Sequence, residues 1–293
     1  MRRILLLGKN GQVGWELHRA LLPLGEVVAL DFPELDFTNF DLLRQQVQDS
    51  RPDVIVNAVA YTAVDQAEQQ PDLAMTINAR APGLLAELAC KMKAVLVHYS
   101  TDYVYDGAKS LPYLEEDTPN PLGLYAKSKL AGDQAILGEG GASIILRSSW
   151  IYSNRRDNFV KKVLGWAHTR TELRVVDDQV GCPTWARALA ECTAQLVAQG
   201  GESSWDWALE RRGVYHLAGD GYCSRYAWAQ AIIDLDPHPD GQTIRDLKPA
   251  RTADFPTPAQ RPLFTALDCS RFYRTFGLRL PDWRVSLALA LES

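Results

Sequence analysis

Ile4-Leu-Leu-Leu-Gly-Lys-Asn-Gly-Gln-Val-Gly14 decides how this chain folds. Four apolar residues run straight into Gly8, and two more glycines, Gly11 and Gly14, open a stretch with helical spacing, Gln12 to Leu22. A strand, a tight glycine turn and a helix in immediate succession begin a nucleotide-binding βαβ unit. Glycine suits such a turn because the backbone bends sharply and must approach a pyrophosphate closely. The helix N-terminus then offers unpaired N–H groups to the phosphates. Gly8, Asn10, Gly11, Gln12, Val13 and Gly14 are accordingly assigned to a bound dinucleotide. An ordinary tight βα turn is the competing explanation.

Working outward, strand-like and helix-like runs keep alternating. Arg3–Leu7, Val27–Asp31, Val54–Ala58, Ala94–Ser100 and Ser143–Arg147 read as strands. Gln12–Leu22, Phe40–Asp49, Asp72–Lys91 and Gly123–Leu137 read as helices between them. This rhythm predicts an α/β fold, a Rossmann-type doubly wound parallel sheet covered on both faces. After Trp150 the rhythm breaks into irregular segments rich in Pro, Arg and Trp, including Asp177–Thr184, Gly219–Arg225 and Arg251–Pro262. The expected organisation is a dinucleotide-binding domain over residues 1–149 and a smaller substrate lobe over 150–293. Val214–Ala218 reads as a strand that returns to the main sheet, and Trp283–Glu292 as a helix.

Bulk properties narrow the function. A chain of 293 residues with 46% hydrophobic and 23% charged residues is an ordinary globular protein, large enough for two lobes. A net charge of −5 disfavours a nucleic-acid partner. The five cysteines, Cys90, Cys182, Cys192, Cys223 and Cys269, include no C-x-x-C pair, so zinc and a disulfide framework are poor explanations. Reduced thiols and the lack of a signal-like or membrane-spanning segment lead us to expect a cytoplasmic protein. The five histidines show no ligand spacing and receive no role.

Further cofactor contacts follow from position. Asp31 ends the second strand, where a carboxylate accepts from the adenosine ribose hydroxyls. That favours NADH, and NADPH enters if Asp31 turns away; a loop Asp capping a turn is the alternative. Asp36-Phe37 pairs a polar acceptor with a flat face suited to adenine, or else is a surface cap beside a core phenylalanine. Ala58, Ala60 and Tyr61 follow the third strand, where small residues let a cofactor lie against the sheet edge.

The second decisive string is Tyr125-Ala-Lys-Ser-Lys129. Tyr125 and Lys129 are four apart on a helix and share a face. An ammonium beside a phenol lowers the phenol's pKa, and a poised tyrosine gives a proton to an oxygen that becomes alkoxide as hydride arrives. Lys129 also holds the nicotinamide ribose. The fourth strand ends in Ser100-Thr101-Asp102-Tyr103, at the edge where ligands sit in this architecture. Thr101 is the expected donor to the developing oxyanion, with Ser100 close behind. Asp102 and Tyr103 lie beside it toward the substrate. Trp150, after the fifth strand, either stacks on a base or sugar or caps the core. Arg261 pairs either with a diphosphate or with a buried carboxylate.

Six strings occur in order: GKNGQVG, HYSTDYVYDG, PLGLYAKSKLAG, LRSSWIY, DDQVGCPT and TPAQRPLFTALD. The chain thereby resembles the dTDP-4-dehydrorhamnose reductases, a family of extended short-chain dehydrogenase/reductases, from Arg3 to about Trp283. The resemblance implies NADH- or NADPH-dependent reduction of the C4 keto group of dTDP-4-dehydro-L-rhamnose to dTDP-L-rhamnose. It implies Thr101, Tyr125 and Lys129 as the catalytic trio, with Trp150 and Arg261 near the dTDP-sugar. It also implies a homodimer bridged by Mg²⁺ at Glu16, Glu191 and Glu292. The sequence departs from the family's pattern at Tyr61, Asp133 and Cys182. Two other functions are open to the same motifs: a related sugar-nucleotide epimerase or dehydratase, and a non-catalytic cofactor-binding regulatory subunit. A dehydratase wants a carboxylate pair after the Ser/Thr position, and Asp102 has no Glu beside it.

Overall fold

In a computed structural model, which describes residues 1–201 and 203–292, the alternation becomes a single parallel sheet. Glu202 and Ser293 lie outside the described residues. The strands are β1 (Arg2–Leu7), β2 (Gly25–Leu30), β3 (Val54–Asn57), β4 (Val95–Thr101) and β5 (Ser143–Ser148), joined by Gly213–His216. Their spatial order is Gly213–His216, β5, β4, β3, β1, β2. Every neighbouring pair is parallel. β3, β4 and β5 are buried along their whole length, which is why they read as near-continuous apolar runs.

The period of two along each strand feeds two cores. Ile4, Leu6, Val56 and Val97 pack on Leu17 and Leu21 of helix α1 (Gln12–Leu21) and on Leu189 and Leu196 of the helix Ala186–Gln199. Leu5, Leu7, Ile55 and Leu96 point the other way, onto Leu43, Val47, Leu85 and Leu88 of the helices Phe40–Ser50 and Ala81–Met92. A third cluster, including Tyr152, Val163, Trp228, Trp283 and Leu287, is built from the C-terminal half alone.

The long helix expected over Asp72–Lys91 is broken. Pro71–Met75 and Ala81–Met92 are α-helical, and Thr76–Arg80 between them is a wide π turn. Pro82 has no N–H for the carbonyl of Asn78 four residues earlier, and its ring would collide with that carbonyl in a regular helix. β2 and β3 lie on opposite sides of β1, so the order in which strands are added reverses there. The crevice at the C-terminal ends of β1 and β3 is where ligands bind in such sheets.

Candidate active site

The glycine loop closes one end of this crevice. Gly8 has φ +93°, and a Cβ there would come within 3.0 Å of the Ala58 and Val59 backbone. Its N–H donates to the Leu30 carbonyl at 2.8 Å, locking the loop between β2 and β3. Gly14 answers a different need: a Cβ would fall 1.8 Å from the Gly8 carbonyl oxygen. Gly11 precedes α1 and offers no side-chain cap, so the first N–H groups of that helix stay available to an anion. They open onto a cleft of about 410 Å³ lined by Gly11, Gln12 and Val13 at one end and by Ser100, Tyr125 and Lys129 at the other.

Asp31, Ala58 and Ala60 also line the cleft. The Asp31 carboxylate accepts from the N–H of Asn10 at 2.8 Å and of Phe32 at 2.7 Å, so it caps this turn. Arg156, from beyond the sheet, donates to the Asn10 carbonyl and lines the cleft too. The Asp36-Phe37 pair does not meet the cleft. Asp36 accepts from the N–H and hydroxyl of Thr38, both at 2.8 Å, and Phe37 is buried in the core with Leu5 and Leu7. Tyr61 is set back as well: its N–H donates to Asn78 Oδ1 at 2.8 Å, and Asn78 donates onward to Ser128 on the helix of Tyr125.

That helix, Leu124–Gly138, lays Tyr125, Lys129 and Asp133 along one face. Lys129 is 1% exposed. Its Nζ donates to the Tyr99 carbonyl at 2.7 Å and lies 3.2 Å from His98 Nε2. Burial pushes its pKa down to about 8, with Asp133 opposing. The expectation of a lowered phenol needs correcting. Burial holds Tyr125 above its ordinary range; the neighbouring Thr101 hydroxyl opposes this, and Asp102 and Tyr103 add to it. The lysine nitrogen is turned to β4 instead of to the phenol. A proton donor is well served by this, since it stays protonated until an alkoxide forms beside it.

Thr101 is buried at the end of β4, its hydroxyl accepting from the Tyr103 N–H at 3.2 Å. Asp102 is buried deeper, accepting from Ser149 Oγ at 2.8 Å and Thr265 Oγ1 at 2.5 Å. Burial pushes its carboxyl up to about 6 despite those donors. The Tyr103 ring stands edge-on to Tyr125, centroids 6.2 Å apart. Burial raises its phenol above the ordinary range, and the nearby Arg225 and Arg261 charges oppose that rise. Arg261 forks onto the Asp65 carboxylate at 2.9 and 3.1 Å, and this pairing holds Asp65 below its usual range.

Arg225 went unassigned in the sequence, and the fold makes it central. Its guanidinium lies 3.8 Å over the Trp150 ring and 4.8 Å over Phe159. Trp150 adopts φ +42°, a region that costs a non-glycine residue energy, and its ring stacks on Trp228. Below them opens a second cavity of about 600 Å³. Lys162, Arg170, Arg174, Arg225 and Arg261 give it a cationic wall. Phe159, Trp166 and Phe255 give it flat apolar faces. Such a lining suits an aromatic base joined to phosphates.

Glu16, Glu191 and Glu292 are not gathered into one cluster within a single chain. Among the described residues no group of three or more His, Cys, Asp or Glu side chains could hold an ion. Glu16 lies on α1, Glu191 is engaged by Arg187 at 2.9 Å, and Glu292 ends the helix Trp283–Glu292. No helix among the described residues is long and apolar enough to cross a membrane.

The family described as RmlD substrate binding domain matches residues 1–293. A dTDP-4-dehydrorhamnose reductase of Burkholderia thailandensis is 40% identical over 293 residues, spanning 99% of this chain and 98% of that protein. The chain belongs to the dTDP-4-dehydrorhamnose reductase family. Two solved structures extend the likeness to three dimensions. The dTDP-4-dehydrorhamnose reductase of Clostridium acetobutylicum superposes with a TM-score of 0.89 at 34% identity, covering 99% of this chain and 98% of that one. That of Bacillus anthracis, in complex with NADP, gives 0.89 at 32%, covering 100% and 99%. The departures from the family pattern are absorbed locally. Asp133 still reaches Arg147, 3.0 Å from its Nε, and the Cys182 sulfur accepts from the Leu267 N–H.

Proposed function

We propose that this chain reduces the C4 keto group of dTDP-4-dehydro-L-rhamnose to give dTDP-L-rhamnose. One observation carries the reading. Tyr125, at the end of the dinucleotide cleft, stands edge-on to Tyr103, which feels the charges of Arg225 and Arg261, and these two arginines line the cationic, aromatic cavity. A proton donor and a nucleoside-diphosphate site are thus one side chain apart.

The glycine loop and Lys129 would hold a reduced dinucleotide, which would supply the hydride taken up at C4. Thr101 donates a hydrogen bond to the oxygen as charge grows on it. Tyr125 transfers its phenolic proton to that oxygen, completing the alcohol, and is reprotonated from solvent after product release. Lys129 holds the nicotinamide ribose from the cleft floor. Arg225 and Arg261 neutralise the diphosphate, with Arg261 leaving Asp65 to do so. Residues 1–149 carry the dinucleotide and 150–293 the sugar nucleotide, except that Gly213–His216 completes the sheet. Both reduced dinucleotides are accepted in this reading. Asp31 already serves two backbone N–H groups, and Arg156 stands on the same cleft, so a 2′-phosphate meets a cation beside the carboxylate.

A dehydratase is disfavoured because Tyr103, and not a second carboxylate, follows Asp102. A purely regulatory role is disfavoured by the intact trio at the cleft's end. The test supplies dTDP-4-dehydro-L-rhamnose, made in situ, and follows oxidation of NADPH and NADH separately. Oxidation with formation of dTDP-L-rhamnose is expected with each. A protein that binds dinucleotide yet oxidises neither would overturn the reading.

A further inference from the structure

His98 interrupts the apolar run of β4 and is fully buried. Its side chain lies on the face of β4 that carries Leu96, toward the helix of Tyr125 and Lys129. One ring nitrogen, Nδ1, is 3.1 Å from Asn57 Nδ2 on β3; the other, Nε2, is 3.2 Å from Lys129 Nζ. The Asn57 amide is oriented by a third contact, since its Oδ1 accepts from the Val59 N–H at 3.1 Å. With the oxygen so used, Asn57 presents its NH₂ to His98. Nδ1 must then be the acceptor, and a neutral imidazole carries its proton on Nε2. That N–H points at the lysine nitrogen.

We propose that His98 is a positioning residue for Lys129, fixed by Asn57 in the tautomer whose Nε2–H faces Nζ. The lysine nitrogen thereby lies between the Tyr99 carbonyl, which takes one of its hydrogens, and an N–H that can bond only the lone pair of the neutral amine and so opposes its protonation. Its remaining valence is aimed into the dinucleotide cleft, which Lys129 lines. The other ionisable groups around it are Tyr125 and Asp133 on its own helix and Arg147 of β5, which is bound to Asp133. Burial keeps His98 well below the ordinary imidazole range, with Lys129 adding to the effect, so the ring stays neutral. A neutral donor beside Nζ and burial both act against the ammonium, in keeping with a lysine pKa brought down to about 8. The arrangement sets the pH range over which Lys129 carries charge toward the ribose.

The inference rests on the reductase reading for its kinetic arm only. The direct arm is side-chain ¹⁵N NMR of the full-length, ¹⁵N-labelled protein. His98 is expected protonated at Nε2 and unprotonated at Nδ1; the opposite tautomer would overturn the proposal, whatever the enzyme's turnover. In the kinetic arm, His98→Gln offers Nζ a carbonyl acceptor in place of the N–H. The limb of the kcat/KM profile that reports Lys129 should move up by about one pH unit. Asn57→Ser deletes the amide that selects the tautomer and should move the same limb the same way, which covers a His98→Gln protein that does not fold. A folded variant whose profile superposes on wild type would count against the assignment, because a merely structural histidine would change stability and leave the limb in place.

Discussion

Tyr125 occupies the second position of its helix, so its backbone is fixed while its hydroxyl reaches the ends of β4. Tyr125→Phe deletes one oxygen and leaves ring and helix as they are. Turnover should fall by about 10²–10⁴, the usual worth of a placed acid, with dinucleotide affinity close to wild type. Lys129→Ala should lose both together, since it removes a cleft-lining group as well as a charge. Rates at saturating substrate and a fluorescence titration of the dinucleotide separate the two outcomes, and near wild-type turnover in Tyr125→Phe would exclude it as the acid. At this scale the sequence was readable where chemistry is local. Gly8, Gly11, Tyr125 and Lys129 are recognisable from spacing, and all line one cleft; at the end of β4 it is Ser100, the close second choice, that lines it beside Thr101. Arg225 and His98 were not recognisable, because their roles exist only once Tyr103 and Lys129 are folded against them. Asp36 and Phe37 remain ambiguous for a plain reason: a turn acceptor and a core ring have the same composition as an adenine clamp.

The helix of Tyr125 has a weak start that another element repairs. Gly123 provides no side-chain cap, and Glu68 Oε1 accepts from the Leu124 N–H at 2.7 Å instead. A carboxylate there satisfies a free N–H and faces the positive end of the helix dipole. Glu68→Ala should cost about 1 kcal/mol of stability and lower kcat several-fold as the first turn loosens under Tyr125. Glu68→Gln, which keeps an acceptor, should recover most of both. Urea unfolding alongside initial rates checks this; an unchanged kcat in Glu68→Ala would show that the cap does not hold the tyrosine. Strand and helix existence were largely legible up to Trp150, because period-two and period-3.6 patterns rarely mimic each other over these lengths; beyond it the helices Phe159–Ala167, Ala186–Gln199 and Arg225–Asp234 were not read, and that half is less irregular than expected. The break at Thr76–Arg80 was not read, although Pro82 signalled it. Its use, aiming Asn78 at Tyr61 and Ser128, depends on partners distant in sequence.

Taken as a whole, the molecule buries neutral imidazoles between charged neighbours, and this makes it acid-sensitive. His216 is fully buried against Tyr105, and burial, reinforced by Arg147, pushes its pKa down to about 3. Between pH 6.5 and about 3 the unfolded chain therefore binds a proton that the folded one does not. Stability should fall as pH drops through that window, by about 1.4 kcal/mol per pH unit from this residue. Asp102, pushed from 3.8 up to about 6, works in the opposite sense over its own range. The difference between wild type and His216→Gln in urea midpoints at several pH values isolates the imidazole. Parallel curves for the two proteins would rule out neutral burial.

The interleaving of the sheet also bears on how the chain is made. β1 to β5 are complete at Ser148, yet one face of the sheet is covered by Leu189, Leu196, Tyr215, Phe272, Phe276 and Leu280. A ribosome has roughly 130 further residues to add before that face is sealed, on the order of ten seconds of synthesis. During that interval the nascent N-terminal half carries an apolar sheet surface and an unpaired β5 edge, so it is at this stage that the chain most needs a chaperone's cover.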